Sequence, residues 1–173
     1  MHEMDLEKVL EWRNKDAIRK NMYSDGIICP EEHSDWYKRV QGNPEVKCHV
    51  LEHAGRLIGY ASVSKIDVKN GTCYWAFYIG ENTVPPGSGA VLEWLYLEYV
   101  FEELGVRKLC CEVFAFNSSV VKLHKKFGFL EEGIYRKHIL KNGVYEDVVI
   151  LALFREEWPG IKEKMEKVCF RGK

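Results

Sequence analysis

Two short stretches carry residue types at spacings that chemistry can use. In Val84-Pro85-Pro86-Gly87-Ser88-Gly89 the two glycines let backbone N–H groups approach a ligand, and the helix that follows turns its positive end toward them. A pyrophosphate suits such a cradle, and so does a plain turn; both readings stay open here. The dinucleotide fingerprint is excluded, because a third glycine and the acid that should follow it are absent. In the second stretch, NSSVVKLHKKFGF from Asn117 to Phe129, Asn117 can cap a helix on which His124 shares a face with Val120, Leu123 and Phe127. An imidazole there can donate a proton, although a lone His on an apolar face is also what a satisfied core residue looks like. Glu112 is a candidate base or holder of water, with a rim carboxylate paired to Lys or Arg as the alternative. Ser62, a poor base, could take a proton only within a relay.

The elements that must position these residues follow from periodicity. Residues 4–13 carry Leu6, Val9, Leu10 and Trp12 at helical spacing, with Asp5 placed to cap the first turn. Pro30-Glu31-Glu32 opens a second helix to about Val40, and residues 21–26 between the two read as a loop. From Val46 the period becomes two. Strands at Val46–His53, Leu57–Ile66 and Thr72–Gly80, joined at Ala54-Gly55 and Asn70-Gly71, form an antiparallel meander. Residues 88–104 place Leu92, Leu95, Tyr96, Tyr99 and Val100 on one helical face ended by Gly105. A strand over 107–115, the Asn117 helix stopped by Gly128, and strands 129–140 and 144–154 meeting at Asn142-Gly143 complete the order α-α-β-β-β-α-β-α-β-β. Glu156 to Phe170 reads as a terminal helix interrupted by Pro159. Along the strands, alternation puts Tyr60, Ser62 and Ser64 on one face, and Tyr74 and Tyr78 on one face of the next.

Bulk properties bound the function. A chain of 173 residues, 46% apolar and 29% charged, is expected to fold as one α/β domain over 1–173. Its formal charge of -1 provides no global field for nucleic acid or an anionic membrane, so any anion must be bound locally. No apolar run nears the roughly 20 residues that span a bilayer. The six cysteines have neither C-x-x-C nor metal-ligand spacing, and nothing resembles a secretory signal, which points to a reduced cytoplasm. Adjacent Cys110 and Cys111 read as buried small side chains of a strand rather than a redox pair.

With these residues in view, the chain resembles the GCN5-related N-acetyltransferase (GNAT) superfamily. Its phosphate loop reads Q/R-x-x-G-x-G/A, met here at Gly87 and Gly89 with Val84 where Gln or Arg is usual, and its last helix reads N-x-x-S/A-x-x-L-Y-x-x-x-G-F, met here from Asn117 with His124 in place of Tyr. The resemblance implies a mixed, mostly antiparallel central sheet flanked by helices and splayed between the superfamily's fourth strand, here Thr72–Gly80, and its fifth, here 107–115. It implies acetyl-CoA as co-substrate and no metal. Acetyl-CoA would lie along Phe77, Tyr78 and Ile79, with its pyrophosphate at Gly87, Ser88, Gly89 and Ala90 and its pantetheine near Asn117; His124 would protonate the departing thiolate. The amine would attack the thioester directly, with backbone N–H groups of the fourth strand holding the oxyanion. The superfamily's first strand has almost no room before Asp5.

The N-terminal third narrows the resemblance. Leu10 to Asn14, Ile18 to Tyr23, Ile27-Ile28 and Glu31 through Trp36, with Lys125 to Phe129 and Glu132 to Arg136, are similar to nucleotide-sugar N-acetyltransferases of pseudaminic acid biosynthesis, which lead to flagellin glycosylation. That similarity implies a UDP-4-amino-4,6-dideoxy-N-acetyl-β-L-altrosamine acceptor, with Arg13, Met22, Tyr23, His33 and Trp36 around the nucleotide and Ser62, Ser64, Lys65, Tyr74 and Tyr78 near the sugar and amine. Arg13 can meet a diphosphate, Met22 and Tyr23 offer an apolar surface to uracil, and His33 and Trp36 lie one turn apart. The alternatives are Arg13 as a solvated helix end, Met22 and Trp36 as core, and His33 at the surface. Three other functions compete: an acetyltransferase for protein N-termini, one for polyamines, which should line its pocket with acids, and a non-catalytic acyl-CoA or nucleotide-sugar-binding module. A homodimer stays open.

Overall fold

The computed structural model describes residues 1–170. Their contacts gather in two compact units: Met1–Ile66 with Trp75–Gly89, and Asp67–Tyr74 with the residues from Ala90 on. The strands follow the order β1-β2-β3-β4-β6-β5, a mixed, mostly antiparallel sheet accompanied by helices, as the family resemblance implies.

The first unit contains α1 (Leu6–Arg13), α2 (Asp16–Arg19), α3 (Pro30–Gln41), β1 (Lys47–His53), nearly all of β2 (Arg56–Asp67) and the larger part of β3 (Thr72–Ile79). Ala54 and Gly55 take the left-handed conformation that closes the β1–β2 hairpin, φ 49° and 75°. Two local details differ from expectation. Asp5 closes a 3-10 turn at Glu3–Asp5, where its carboxylate accepts the His2 N–H at 2.6 Å, and its side chain does not cap α1. The chain after α1 also winds one more helical turn, α2, whose short length hides its period. Its Ile18 joins Val9, Trp12 and Tyr60 in a buried cluster.

Helix α1 grips the end of β3. The Trp12 ring lies on Gly80 so closely that a Cβ there would stand 2.1 Å from it. The Trp12 indole N–H donates to Glu81 Oε1 at 2.8 Å, Lys8 pairs with the same oxygen at 2.7 Å, and Lys15 Nζ donates to the Gly80 carbonyl at 2.9 Å. The Lys8 ammonium first and the Trp12 indole second hold the Glu81 carboxyl down at about 2.

The second unit joins the start of β3 to β4 (Lys108–Phe114), β5 (Leu130–Lys141) and β6 (Val144–Phe154), with helices α4 (Ser88–Glu98) from Ala90 on, α5 (Ser118–Lys126) and α6 (Trp158–Cys169). Strand β3 runs parallel to β4, and their registered pairs, from Thr72 with Lys108, end at Tyr74 with Cys110. β4 and β6 pair antiparallel over seven positions, and β5 pairs with β6 across a turn with Asn142 and Gly143 at positive φ. Cys110 and Cys111 are buried free thiols.

Helix α4 continues as a π turn over Tyr99–Glu103 and buries a different stripe from the one expected. Leu92, Tyr96 and Val100 are inside, but so are Glu93, Leu97 and Phe101, whereas Leu95 is 43% exposed. A helix this apolar all round does not encode its own buried face; the neighbours choose it. Pro159 occupies the first turn of α6, where its missing N–H costs nothing, so it starts the helix rather than interrupting it.

Gly80→Ala should overpack the Trp12 contact and destabilise the protein by about 1–3 kcal/mol, read as a lower urea midpoint with an unchanged m-value.

Candidate active site

In the first unit α1, α3, the 22–28 loop, β2 and β3 enclose a cavity of about 320 Å³. Six of the residues singled out from the sequence line it: Arg13, Met22, His33, Trp36, Ser62 and Tyr78. Their convergence has local causes. Pro30 and the first-turn acids Glu31 and Glu32 start α3, whose spacing then stacks His33 on Trp36 with ring centroids 5.0 Å apart. Alternation along the strands brings Tyr60 and Ser62 of β2 and Ala76 and Tyr78 of β3 to the same wall, with the Tyr60 and Tyr78 rings stacked at 5.3 Å.

The polar groups of this cavity are unevenly satisfied. Arg13 Nη2 donates to the Ser24 carbonyl at 2.7 Å and the Ser24 hydroxyl at 3.0 Å. Nη1 is buried with no hydrogen-bond partner among the described residues. Burial, the largest cause, lowers the Arg13 pKa, and the nearby Arg19 guanidinium acts in the same direction. Arg13 is the charged residue of the lining, and no carboxylate is among the lining residues. His33 is buried, 5% exposed, rather than at the surface; burial first and Arg13 second push its imidazole below the usual 6.5. Met22 and Trp36 pack on the core cluster and also line the cavity. Burial pushes the Tyr60 and Tyr78 hydroxyls up.

Sequence reasoning gave no site role to Val9, Ser24, Ile28, Tyr60 or Ala76 of the lining, and the fold delivers Ser24 and Ile28 through side-chain anchors. Asn14 exchanges two hydrogen bonds with the Ile28 backbone, each 2.9 Å, and Arg19 Nη1 donates to the Asp25 carbonyl at 2.7 Å. Four expected acceptor residues lie outside the lining. Tyr23 is 43% exposed. Lys65 has φ 51°, a left-handed residue that breaks the alternation of β2 after Ser64, and neither of these two faces the cavity. Tyr74 belongs to the second unit, opposite Cys110, where burial first, then the neighbouring Cys110 and Glu112, raise its hydroxyl.

The expected cofactor residues divide by what their groups are free to do. Phe77 stacks on Trp75 at 5.0 Å, and Tyr78, assigned to both ligands, lines the cavity, while Ile79 is outside the lining. Gly87 has φ 85° and open space where a Cβ would stand. Ser88 turns inward: its N–H at 3.2 Å and its hydroxyl at 2.7 Å both donate to the Pro85 carbonyl. The α4 N–H groups left to receive an anion are those of Gly89 and Ala90, in keeping with the free donors of any helix start. The loop therefore fits a pyrophosphate through backbone groups, without a Ser88 side-chain contact.

The second unit holds the remaining candidates. Asn117 precedes α5 but makes no side-chain cap; its Oδ1 accepts from Ser119 Oγ at 3.2 Å. Glu112 is half-buried on β4, in register with Ile150. His124, 3% exposed, has Nδ1 2.8 Å from Oε1 of Glu93, a carboxyl that is 0% exposed. Its partner was not anticipated, since nothing in α4 marks one acid as buried. Among the described residues no group of three or more His, Cys, Asp or Glu could hold a metal, and no helix is long and apolar enough to cross a membrane.

A family model for the acetyltransferase (GNAT) domain matches residues 1–150. The chain belongs to the GNAT family of acetyl-CoA-dependent N-acetyltransferases. It is 29% identical over 148 residues to the SPbeta prophage-derived uncharacterized N-acetyltransferase YokL of Bacillus subtilis, covering 83% of this chain and 81% of that one. It is 26% identical over 129 residues to the acetyltransferase PseH of Campylobacter jejuni, covering 75% and 79%. The fold matches the crystal structure of spermidine N-acetyltransferase from Vibrio cholerae in complex with CoA and spermine with a TM-score of 0.87 at 22% identity, over 92% of this chain and 95% of that one.

Because its folded-state pKa is depressed, neutral His33 contributes stability fully above 6.5, and that contribution is lost as pH falls from there through the depressed value. NMR titration of the His33 ring should give a midpoint below 6.5, and Arg13→Met should move it upward.

Proposed function

We propose that this GNAT enzyme, acting as one domain, acetylates the 4-amino group of a UDP-linked 4-amino-4,6-dideoxy sugar of the N-acetyl-altrosamine type. The observation that carries this reading is Arg13: a guanidinium with a buried, unpartnered N–H in a cavity lined by no carboxylate. Such a donor is costly until an acceptor reaches it, and an anionic oxygen is its strongest partner. A polyamine would bring further positive charge to the same place. The stacked pair His33–Trp36 and the Tyr60–Tyr78 pair supply flat apolar surface for a base and a sugar ring. The resemblance of the N-terminal third to nucleotide-sugar N-acetyltransferases points to the same acceptor, and PseH is among the relatives at 26% identity.

In this reading the acceptor amine, once neutral, attacks the thioester; Ser62, on the cavity wall, takes part in relaying its proton, and Glu112 is the alternative holder of a water or proton. The backbone of Phe77–Ile79 and the Gly87–Ala90 turn hold acetyl-CoA, with Asn117 at the pantetheine. His124, at the position of the family's Tyr, supplies the proton to the thiolate.

The decisive assay is release of free thiol from acetyl-CoA with three acceptors: UDP-4-amino sugars, spermidine and N-terminal peptides. Turnover is expected with the UDP sugar; turnover confined to spermidine or peptides overturns the sugar assignment. Arg13→Met should raise KM for the sugar acceptor about tenfold or more, with KM for acetyl-CoA unchanged. His124→Phe should lower kcat about 100-fold with little effect on KM for acetyl-CoA, and an unchanged kcat removes His124 from the chemistry.

A further inference from the structure

Glu93 is the most thoroughly enclosed charged residue of the second unit, and the position of its two oxygens is unequal. Oε1 meets His124 Nδ1 at 2.8 Å, while Oε2, equally buried, has no hydrogen-bond partner among the described residues. Burial, the largest influence, pushes the carboxyl up, and the His124 contact opposes it. An ionised carboxylate with one oxygen unsatisfied and a neutral imidazole beside it would be an uncompensated buried charge. The pair is far better accommodated when the two groups hold one proton between them.

That proton count determines the far side of the ring. With the proton on Glu93, the carboxyl donates to Nδ1 and the neutral ring carries its hydrogen on Nε2. With the proton on the ring, Nδ1–H donates to the carboxylate and Nε2 again carries a hydrogen. Two further side chains near the pair, Phe129 and Cys169, add no charge to it. Phe129 packs on the ring at 5.2 Å, and Cys169 of α6, which donates to the Ala90 carbonyl at 3.4 Å, is kept neutral, its thiol pushed up by burial and then by Glu93.

We propose that Glu93 is a positioning residue for the reaction: by holding Nδ1 of His124 and sharing one proton with it, Glu93 keeps Nε2–H as the donor to the departing thiolate. The inference rests on the assignment of His124 as that donor. As the N–C bond to the acceptor forms, the C–S bond breaks and its electron pair goes to sulfur, which takes the Nε2 proton. The pair is left as Nδ1–H against carboxylate, with a bare Nε2, and regains a proton from solvent, to which the acceptor amine has lost one. Because the spent form carries the uncompensated buried charge, its reprotonation is favoured, and the donor is reset for the next turnover.

The test combines pH–rate profiles with direct observation of the ring. Glu93→Gln should lower kcat on the order of tenfold at pH 8, move the alkaline limb of the kcat profile to lower pH, and leave KM for acetyl-CoA unchanged. Glu93→Asp, which keeps the carboxyl, should restore part of that limb. If His124→Phe lowers kcat but Glu93→Gln leaves the profile unmoved, the Glu93 inference falls and the His124 assignment stands; if His124→Phe has no effect, the assignment itself falls. Should Glu93→Gln fail to fold, nitrogen-15 NMR of the wild-type His124 ring decides. A protonated Nε2 from pH 6 to 8 is the expected result, and a bare Nε2 with protonated Nδ1 in that range overturns the proposal.

Discussion

The cavity of the first unit depends on the grip of α1 upon Gly80 and Glu81. A flat indole can rest on the backbone at Gly80 only because no side chain stands there, and once it does, Lys8, Trp12 and Lys15 all find partners on two consecutive residues. Ion pairs at the surface are worth little singly. Here they accompany a close apolar contact to a ring that is 0% exposed, and the combination sets the rotation of α1 about its axis. That rotation turns Val9 and Arg13 toward the cavity.

From there the first unit is built around one guanidinium. Arg13 divides its donors between the 22–28 loop, which it fastens, and the cavity, which it leaves electrostatically incomplete. The loop is held at three points, Ser24, Asp25 and Ile28, by Arg13, Arg19 and Asn14, so its irregular backbone has side-chain partners in place of a ladder. A pocket with apolar stacking surfaces, a lowered imidazole and one unpaired cationic donor selects by charge as well as shape.

The second unit places its own polar group in an otherwise apolar setting. Glu93 and His124 face each other from α4 and α5, with Phe129 packed on the imidazole, and all three are essentially inaccessible to water. An acid and a base in such surroundings survive because each answers the other, and the same mutual dependence governs which ring nitrogen bears hydrogen.

The sequence by itself determined what the local backbone decides. Ala54-Gly55 and Asn142-Gly143 turn where they must because only such residues accept positive φ cheaply, and the strands around them follow by alternation. The family could be read because the spacing of Gly87 and Gly89 before a helix, and of Asn117 before another, is local in the sequence and survives the departures at Val84 and His124. The stacking of His33 on Trp36 was legible for the same reason, being one turn of one helix. What only the tertiary structure decided are the meetings across sequence: Trp12 with Gly80, Arg13 with Ser24, and His124 with Glu93, 31 residues apart. No local preference distinguishes Glu93 from an exposed acid, or Leu95 from a core leucine, on a helix apolar all round. Burial and charge partnership are properties of the packed neighbours, and those arise only when the chain has folded.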